Sequence, residues 1–456
     1  MSDVETSGTD AGSNPSPSRR NLLRGVAGAA GLAAVSGGLL TACSSDSDSS
    51  DKKSGSSGTT GSVAGSTVTF GSNYSDPAAK TAFAALTTAA TTSSKVKVTI
   101  NTVDHNTFQE NITSYLQGTP DDLFTWFAGY RMQYFAAQGL AQPLDDVWEK
   151  IGGNFGPAAK QLSTGLDGHQ YLVPLYNYPW VVFYNKSEFA KHHYTVPTTW
   201  DEYIALAKQM KTDGLIPIAF ADKDGWPALG TFDILNMRIN GYDYHMKLMT
   251  HKIPWTDQGV ATVFQHWAEL LPYTQSGANG RIWQDAAKTL ETKKAGMMFQ
   301  GTNQVAAQYV TDKADLDDLD FFTFPTINPK WGQDYMDAPT DGFMLSKKSK
   351  NTDAAKAILE YIGSGPAEAE YLKTDQWDVG LANGLQVPTY NAIQKKSVTE
   401  IGKCKAVAQF MDRDSDPAMA NAMISILQKF IDDPSTGNIA KLQKSAEDQA
   451  KAIYTS

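Results

Sequence analysis

The chain has 456 residues and a formal net charge of −10 at pH 7, from 39 lysine and arginine residues and 49 aspartate and glutamate residues. It contains no basic stripe and no interleaved aromatic–arginine motif of the kind that binds nucleic acid. The acidic balance mainly favours solubility, so a nucleic-acid partner is not expected.

The N-terminal region has the pattern of an export signal. Arg19, Arg20 and Arg24 precede a mildly apolar run, rich in glycine and alanine, over residues 25–40. A membrane-spanning helix needs about 20 strongly apolar residues, so this run is better matched to the apolar region of a secretory signal. The adjacent arginines resemble a twin-arginine signal, which is an address and not an anchor.

The apolar run ends at the sequence LTAC, residues 40–43, which resembles the lipobox of bacterial lipoproteins. We therefore expect residues 1–42 to be a signal peptide, and residues 43–66 to be the lipidated Cys43 and a flexible tether. This predicts an exported protein, held on the outer face of the cytoplasmic membrane through its lipid anchor alone. The alternative is a buried cysteine that follows small residues by chance. Cys404 is the remaining thiol, so no internal disulfide is expected.

The body of the chain begins with a strand–helix–strand pattern. TVTF over residues 67–70 predicts a strand. Asp76 followed by Pro77 predicts the start of a helix that continues through an alanine-rich stretch. The alternation in KVKVTINTV, residues 95–103, predicts the next strand. This order of elements favours a parallel sheet.

The same order continues along the chain. Residues 106–117 predict a helix, and residues 122–126 predict a short strand. Thr199 and Glu202 form a predicted capping box for a helix over residues 197–211. Three amphipathic helices are predicted toward the C-terminus, over 352–373, 417–432 and 438–453. The residues after the tether exceed one typical core, so we predict an α/β fold of two lobes with a helical C-terminal stretch.

Aromatic residues cluster with polar residues in several segments. A pyranose has an apolar C–H face and an edge of hydroxyl groups, so its binding site needs flat rings for the face and fixed donors and acceptors for the edge. Tryptophan or tyrosine beside aspartate, asparagine or arginine meets both needs. The ring-rich segments are 123–135, 171–186, 222–227, 280–285 and 373–380.

The context of each ring predicts its role. Trp226 lies between a glycine and a proline in a predicted loop, with Asp222 nearby, which favours contact with a ligand. Trp126 ends a predicted strand and is a second candidate, and Trp283 and Trp377 are candidates in their own ring-rich segments. Core packing is predicted for the rings that fall in strand and helix patterns, Trp148, Trp180, Phe183, Trp200 and Trp267.

A family resemblance is carried by four segments, 120–146, 173–189, 196–211 and 342–364. They resemble the extracellular solute-binding proteins of family 1, the sugar-binding lipoproteins of bacterial ABC importers, and the likeness extends over most of residues 67–456. The resemblance implies a two-lobed periplasmic-binding-protein-like fold of type II. Each lobe would be a mixed sheet flanked by helices, and sugar would be held in the cleft beside a hinge of crossing segments.

The resemblance also implies lobe boundaries and cleft residues. The N-terminal lobe would comprise residues 67–179 and 341–387, and the C-terminal lobe residues 180–340 and 388–456. Beyond Asp222 and the tryptophans, the residues that it places at the cleft are Arg131, Tyr176, Asn177, Tyr178, Gln300, Asn303 and Asp341. Arg131 would either bond sugar hydroxyls or pair with a carboxylate.

The implied function is the capture of a neutral mono- or oligosaccharide by a monomeric lipoprotein. Its lobes would close on the sugar and present it to the membrane permease subunits, with a cytoplasmic ATPase acting indirectly. We expect no catalytic residue, no cofactor and no metal. The pairs His192–His193 and His245/His251 lack a third ligand at suitable spacing, and surface histidines are the simpler interpretation.

Two other classes of protein remain open. A secreted glycoside-active enzyme would share the aromatic residues and carboxylates, but it would place two carboxyl groups about 5–9.5 Å apart. A sequence does not give that distance. A lipid-anchored adhesin would share the anchor, but it would not need a two-lobed α/β body.

Overall fold

Two mixed β-sheets organise the part of the chain that the computed structural model describes, residues 62–385 and 387–454. A third sheet has two strands. The strands are β1 (Thr67–Ser72), β2 (Lys97–Thr102), β3 (Leu123–Phe127), β4 (Val173–Asn177), β5 (Trp180–Asn185), β6 (Ile216–Ile218), β7 (Ala295–Gly301), β8 (Leu319–Phe322), β9 (Tyr335–Asp337), β10 (Thr340–Leu345), β11 (Val379–Gly380) and β12 (Ala406–Ala408).

Helices connect these strands and form the C-terminal part of the fold. They are α1 (Pro77–Ser94), α2 (His105–Gln117), α3 (Tyr130–Ala137), α4 (Asp145–Ile151), α5 (Pro157–Leu162), α6 (Lys186–His192), α7 (Trp200–Thr212), α8 (Trp226–Asn240), α9 (Tyr242–Met249), α10 (Gln258–Leu270), α11 (Trp283–Glu291), α12 (Thr302–Thr311), α13 (Thr352–Ile362), α14 (Gly365–Thr374), α15 (Ala392–Lys403), α16 (Met411–Asp414), α17 (Pro417–Asp432) and α18 (Thr436–Ile453).

The first sheet has the strand order β11-β4-β10-β3-β1-β2. Strands β1, β2 and β3 are parallel, as the strand–helix–strand pattern predicts, and β10 is antiparallel to both of its neighbours. Val68 pairs with Val98, and Phe70 pairs with Ile100 and Leu123. The second sheet has the order β6-β7-β5-β8, with β5 antiparallel to both neighbours. The sheet that contains β1, with the helices that pack on it, is called the first lobe. The sheet that contains β5, with its helices, is called the second lobe.

Three crossings join the lobes. The first passes through Tyr178 and Pro179, between β4 of the first sheet and β5 of the second, and the second returns from β9 to β10. The third leads from β11 of the first sheet to α15, which contacts β8 of the second sheet. The side-chain amide of Asn177 joins the first two crossings, because it donates to the carbonyl oxygen of Ala338 at 2.9 Å and to Oγ1 of Thr340 at 3.0 Å. Strands β4 and β5 are buried along their whole length. The ring-rich stretch 171–186, which contains both strands, therefore forms part of the hydrophobic core and also crosses between the lobes.

The C-terminal helices pack on the second lobe. Phe430 of α17 contacts Phe264 and Trp267 of α10, with ring centroids 4.8 and 5.2 Å apart. The side-chain amide of Gln443, on α18, donates to the carbonyl oxygen of Trp255 at 3.0 Å. The predicted C-terminal helical stretch is confirmed. The rings predicted to pack in the core are buried too: Trp148, Trp180, Phe183, Trp200 and Trp267.

Two predicted elements differ from the structure. The helix predicted over 352–373 is two helices, α13 and α14, because the residues from Gly363 to Pro366 interrupt it. Ser364 caps the second helix by accepting a hydrogen bond from the amide of Ala367 at 3.4 Å. The loop predicted at Trp226 is instead the first turn of α8.

The N-terminal predictions lie largely outside the described residues. The signal peptide over 1–42 and the lipidated Cys43 lie outside them entirely. At the end of the predicted tether, Val63 packs against the core, and the amide of Gly65 donates to the carbonyl oxygen of Lys95 at 2.9 Å. The packed body therefore includes the end of that segment. Among the described helices, none combines the length and the apolar character that a bilayer crossing requires.

Candidate ligand-binding cleft

A cavity of about 450 Å³ lies between the two lobes. The first lobe contributes the loop that leads into α1, the start of α2, part of α14 and the residues just before β11. The second lobe contributes the N-termini of α8 and α11 and residues of α12. The volume falls within the range of about 300–1,000 Å³ that small-molecule sites occupy.

Three tryptophans line this cavity from different elements. Trp226 begins α8, Trp283 begins α11 and Trp377 lies just before β11. In the first lobe, the ring of Tyr176 stacks on Tyr371, with centroids 5.4 Å apart and an angle of 13° between the ring planes. Both lobes therefore offer flat apolar surfaces to a ligand.

Local backbone chemistry fixes the position of Trp226. Gly225 has a φ of 79°, a region that favours glycine, and a Cβ atom there would lie 2.2 Å from the side chain of Ile424. The carboxyl group of Asp222 accepts a hydrogen bond from the amide of Ala228 at 2.7 Å, which satisfies the first turn of α8. Asp222 therefore stabilises the helix turn that carries Trp226, and it does not itself line the cavity.

A buried ion pair lies at the floor of the cleft. Nη1 of Arg413, on α16, lies 2.8 Å from Oδ1 of Asp341, on β10. The hydroxyl of Tyr176 donates to Oδ2 of Asp341 at 3.2 Å, and the Arg413 guanidinium lies 3.9 Å from the ring centroid of Phe127. Burial raises the pKa of Asp341, and the opposite charge of Arg413 acts against that rise. Both side chains are thus held in place without a ligand.

A second arginine lies outside the cavity. Nη1 of Arg131 contacts Oε1 of Gln109 at 2.7 Å and Oδ2 of Asp412 at 3.0 Å, and its guanidinium lies 5.1 Å from the ring centroid of Trp126. The Trp126 ring packs edge-to-face on Phe135 at 5.5 Å. Arg131 therefore pairs with a carboxylate, and Trp126 packs in the core of the first lobe.

Several buried polar atoms at the cavity have no hydrogen-bond partner among the described residues. They come from both lobes and belong to hydroxyl, amide and carboxyl groups: Tyr74 OH, Tyr371 OH, Asn303 Oδ1, Gln304 Oε1 and Asp378 Oδ1. A buried polar group left without a partner costs about 1–3 kcal/mol. A ligand rich in hydroxyl groups would supply such partners.

Polar contacts join the lobes at the mouth of the cavity. Nδ2 of Asn106, on α2, donates to Oδ1 of Asp224 at 3.1 Å. Nε2 of Gln284, on α11, donates to Oδ1 of Asp76 at 3.5 Å. Helix α1 starts directly after Asp76, as predicted, but this carboxylate makes no capping bond. It faces the mouth instead, so the structure is that of closed lobes.

His105 adds a neutral group to the cleft. It lines both the cavity and a narrow extension of about 50 Å³, to which Tyr178 also contributes. Its Nε2 atom lies 2.6 Å from Nε2 of Gln109. Burial, together with the charge of Arg413, lowers the pKa of His105 to about 4. The imidazole is therefore uncharged at neutral pH and offers hydrogen bonding only.

The residues predicted for the site divide into two groups. Those that line the cavity or its extension are Tyr176, Tyr178, Trp226, Trp283, Asn303, Asp341 and Trp377. Those that lie outside both are Trp126, Arg131, Asn177, Asp222 and Gln300. Gln300 is buried within β7, opposite Val181 of β5. Direct contact with a ligand stays a prediction for both groups.

Sequence reasoning missed several residues that line the cavity or its extension: Tyr74, Asp76, His105, Asn106, Gln304, Asp378 and Arg413. Asp378 could have been found, because it directly follows Trp377 and repeats the pattern of a ring beside a carboxylate. Arg413 could not, because only the folded chain brings it to Asp341, 72 residues away in sequence.

The prediction of surface histidines is wrong for His245. Its side chain is fully buried, and its Nδ1 atom lies 3.1 Å from Nδ2 of Asn236. The reason is that α8 is buried on nearly every face, so the neighbouring α9 packs a histidine against it. Burial lowers the pKa of His245 to about 3. Across the described residues, no group of three or more histidine, cysteine, aspartate or glutamate side chains is placed to hold a metal ion.

The fold and the cleft define a two-lobed binding protein. The sequence model of the bacterial extracellular solute-binding proteins matches residues 71–369. The chain belongs to this family. The family and the two-lobed α/β fold that the sequence predicts are therefore confirmed.

Individual relatives are consistent with this assignment. The bacterial solute receptor AcbH, which has an exclusive substrate preference for β-D-galactopyranose, is 70% identical, with a TM-score of 0.84 over 85% of this chain and 99% of that one. A probable sugar-binding periplasmic protein of Rhizobium meliloti is 24% identical over 60% of this chain and 66% of its own length. An ABC transporter extracellular-binding protein of Pyrococcus horikoshii is 26% identical over 63% of this chain and 64% of its own length. The match thus spans slightly less than two thirds of these two relatives.

Proposed function

We propose that this chain is the substrate-binding protein of a carbohydrate ABC importer and that its ligand is a neutral sugar of the galactopyranose type. The observation that carries the proposal is the interlobe cavity, in which three tryptophans meet buried polar atoms that have no partner among the described residues. The 70% identity with AcbH supports β-D-galactopyranose as the first sugar to test.

A pyranose suits both kinds of surface in this cavity. Its C–H face can pack on the ring of Trp226, Trp283 or Trp377, which buries apolar area from water. Its hydroxyl groups can pair with the amide groups of Asn303 and Gln304 and with the tyrosine hydroxyls. A site that hydrogen-bonds a hydroxyl group discriminates strongly against a ligand that lacks it, because its own buried groups are then unpaired.

The charges around the cavity favour an uncharged ligand. Arg413 is paired with Asp341, and Asp76, Asp224 and Asp378 also line the cavity. The described lining residues of the main cavity include no lysine and no arginine. An anionic sugar would therefore meet carboxyl groups without a free cationic partner, and its burial would be costly.

Hinge bending at the crossings between the lobes would open and close the cleft. We retain the predicted lobes, residues 67–179 with 341–387 and residues 180–340 with 388–456. The passage from β4 to β5 and the return from β9 to β10 support these boundaries. Opening would separate the polar contacts at the mouth and admit the sugar.

Export and anchoring complete the proposal. The arginine pair and the LTAC sequence over residues 40–43 support a signal peptide and lipidation at Cys43. The protein would work as a monomer, tethered to the outer face of the cytoplasmic membrane, and would present its sugar to the permease subunits there.

The chain acts in this proposal as a receptor and not as a glycosidase. Asp341, the carboxylate at the floor, is held by Arg413 and Tyr176, which leaves it poorly suited to protonate or attack a glycosidic bond. The family and the relatives named above consist of binding proteins.

A tryptophan-fluorescence titration of residues 62–456 with neutral mono- and oligosaccharides tests the proposal, and the same mixtures are analysed for hydrolysis. A saturable change at micromolar galactose, without products, is the expected result. Saturable binding of a different sugar would identify that sugar as the ligand in place of galactose. Hydrolysis products would place the chain among the enzymes instead.

A further inference from the structure

A short loop of the first lobe places Trp377 and Asp378 at the cavity, with the buried carboxyl group of Asp375 next to them. Oδ1 of Asp375 accepts hydrogen bonds from the amide of Trp377 at 3.0 Å and from the amide of Asp378 at 2.7 Å. The side-chain amide of Gln394 donates to the carbonyl oxygens of Asp375 at 3.2 Å and of Asp378 at 2.9 Å. These four bonds fix the loop, so Trp377 and Asp378 are presented to the cavity in one conformation.

Asp378 differs from the other carboxyl group in this part of the cleft. Asp341 has Arg413 and Tyr176 as partners. Asp378 is 1% exposed, it lines the cavity, and its Oδ1 atom accepts no hydrogen bond from the described residues. Its nearest charged neighbour is the carboxyl group of Asp375, with which it can share a proton. No cation holds Asp378, whereas Asp341 is engaged by Arg413.

In the part of the chain that the structure describes, no basic group compensates the loop carboxyls. Within the described residues, neither Asp375 nor Asp378 forms a salt bridge, and Arg413 is engaged with Asp341. The titratable groups that face the loop are Asp341, Tyr74, Tyr176 and Tyr371 of the first lobe and Tyr390, which follows the loop in sequence. Across the cavity, the lining residues of α12 are amides, a threonine and an alanine, and none of them titrates. The loop therefore holds two carboxyl groups in a buried region that has little positive charge.

This environment penalises ionisation in the closed form. Burial and the neighbouring charge of Asp375 raise the pKa of Asp378 well above its usual range. Separation of the lobes would hydrate the side of this carboxyl group that faces the cavity, which removes part of the burial and lowers its pKa toward the ordinary aspartate range.

We propose that Asp378 is a specificity-determining residue of the cleft, which binds hydroxyl groups of the sugar as a neutral carboxylic acid and takes up one proton from solvent when the lobes close. Asp375 is its positioning residue. This inference rests on the proposed sugar-binding function and deepens it. A neutral carboxyl donates one hydrogen bond and accepts another, so it selects a pair of hydroxyl groups with matching directions.

The proton balance fixes the sign of the pH dependence. The open form has released the proton and the closed form with sugar holds it, so binding consumes a proton. Affinity therefore falls as pH rises from the ordinary aspartate range toward the raised value of the closed form. The slope reaches at most about tenfold per pH unit for one proton.

The experiment is calorimetric titration of the full folded body, residues 62–456, with D-galactose at pH 7 in phosphate and in Tris. These buffers differ widely in ionisation enthalpy, so the difference in observed heat counts the protons exchanged. Uptake of roughly half to one proton is expected for the wild type. Asp378→Asn places an N–H donor group and a carbonyl acceptor in nearly the same shape. It should therefore still bind galactose, with no uptake and with a flat affinity between pH 6 and pH 8.

Asp285→Asn is the matched control, because it removes an exposed carboxylate two residues from Trp283 that does not line the cavity. It should leave the proton uptake as in the wild type. Equal heats in the two buffers for the wild type would overturn the inference, and so would uptake that persists in Asp378→Asn. The comparison of the wild-type heats in phosphate and in Tris tests the inference even if the Asp378→Asn variant does not fold. Galactose that fails to bind at all would overturn the proposed function first, and the inference with it.

Discussion

The guanidinium of Arg413 lies 2.8 Å from the carboxylate of Asp341, although the two residues are 72 positions apart in sequence. Both side chains are less than a tenth exposed. The contact ties α16 to β10, the strand that re-enters the first lobe after the second crossing. It therefore holds the floor of the cleft and one crossing between the lobes at the same time.

Loss of Arg413 should affect stability and binding together. Arg413→Met leaves Asp341 buried without its cation, which costs about 3–5 kcal/mol for a pair of this kind. We expect a lower melting temperature and weaker galactose binding. The double variant Arg413→Met/Asp341→Asn should recover much of the stability but not the affinity. Thermal unfolding and calorimetry measure both quantities, and a melting temperature equal to that of the wild type in Arg413→Met would contradict this role.

Removal of the Trp226 ring should weaken sugar binding without unfolding the protein. The ring is half-buried, lines the cavity and meets Trp180 edge-to-face at 6.0 Å, so the core loses little when it is truncated. Trp226→Ala should raise the dissociation constant by about tenfold to a hundredfold, roughly 1.4–2.7 kcal/mol. Circular dichroism checks the fold and calorimetry the affinity. An unchanged affinity would show that another ring carries the stacking.

Trp126 should behave in the opposite way. It is 1% exposed and packs on Phe135 and under Arg131, outside the cavity. Trp126→Phe should lower the free energy of unfolding by roughly 1–3 kcal/mol through lost packing and leave the sugar affinity unchanged. Denaturant unfolding and calorimetry on the same samples make the comparison. A large loss of affinity at full stability would return Trp126 to the ligand site.

Asp222 should make the protein less stable as pH rises. Burial raises its pKa to about 8 in the folded state. Between the ordinary aspartate range and pH 8, the folded state keeps a proton that the unfolded state has released, so the free energy of unfolding falls with increasing pH. Asp222→Asn keeps the acceptor for the amide of Ala228 but does not titrate. Its melting temperature should exceed that of the wild type at pH 8 more than at pH 5. Parallel curves for the two proteins would contradict this account.

Lipidation is tested in the producing cell. Cys43→Ser removes the proposed acceptor of the lipid, so the protein should leave the membrane fraction and appear in the medium or the soluble exported fraction. Cys404→Ser is the matched control, since it removes the other thiol and should leave the distribution unchanged. Membrane association that survives Cys43→Ser would point to a different anchor.

Local chemistry made part of the fold predictable. Thr199 and Glu202 form the capping box that their spacing predicts, with the amide of Thr199 donating to the Glu202 carboxylate at 3.1 Å. Helix α17 begins at Pro417 and ends at Asp432, as the pattern indicates, because Asp416 caps it through the amide of Ala418. Such contacts join residues that are close in sequence, so a single sequence contains them.

The candidate site depended on contacts that a single sequence does not contain. Asp76 reads as a helix cap, but the fold places it opposite Gln284 of the other lobe. Trp126 and Trp226 look alike beside their aspartates, yet one lies in a central strand and the other at a helix N-terminus that points into the cavity. The family resemblance supplied the two-lobed arrangement, and the structure supplied the difference between rings that support the cleft and rings that line it.

Calorimetric titration of residues 62–456 with D-galactose, and with its C4 epimer D-glucose, is the decisive test of sugar binding in this cleft. We expect saturable one-to-one binding of galactose at micromolar concentration. Glucose should bind at least about tenfold more weakly, because the buried groups at the cavity would be left unpaired by the wrong epimer. A folded protein that binds neither sugar, nor any other neutral saccharide, would contradict the claim that this cleft is a carbohydrate receptor.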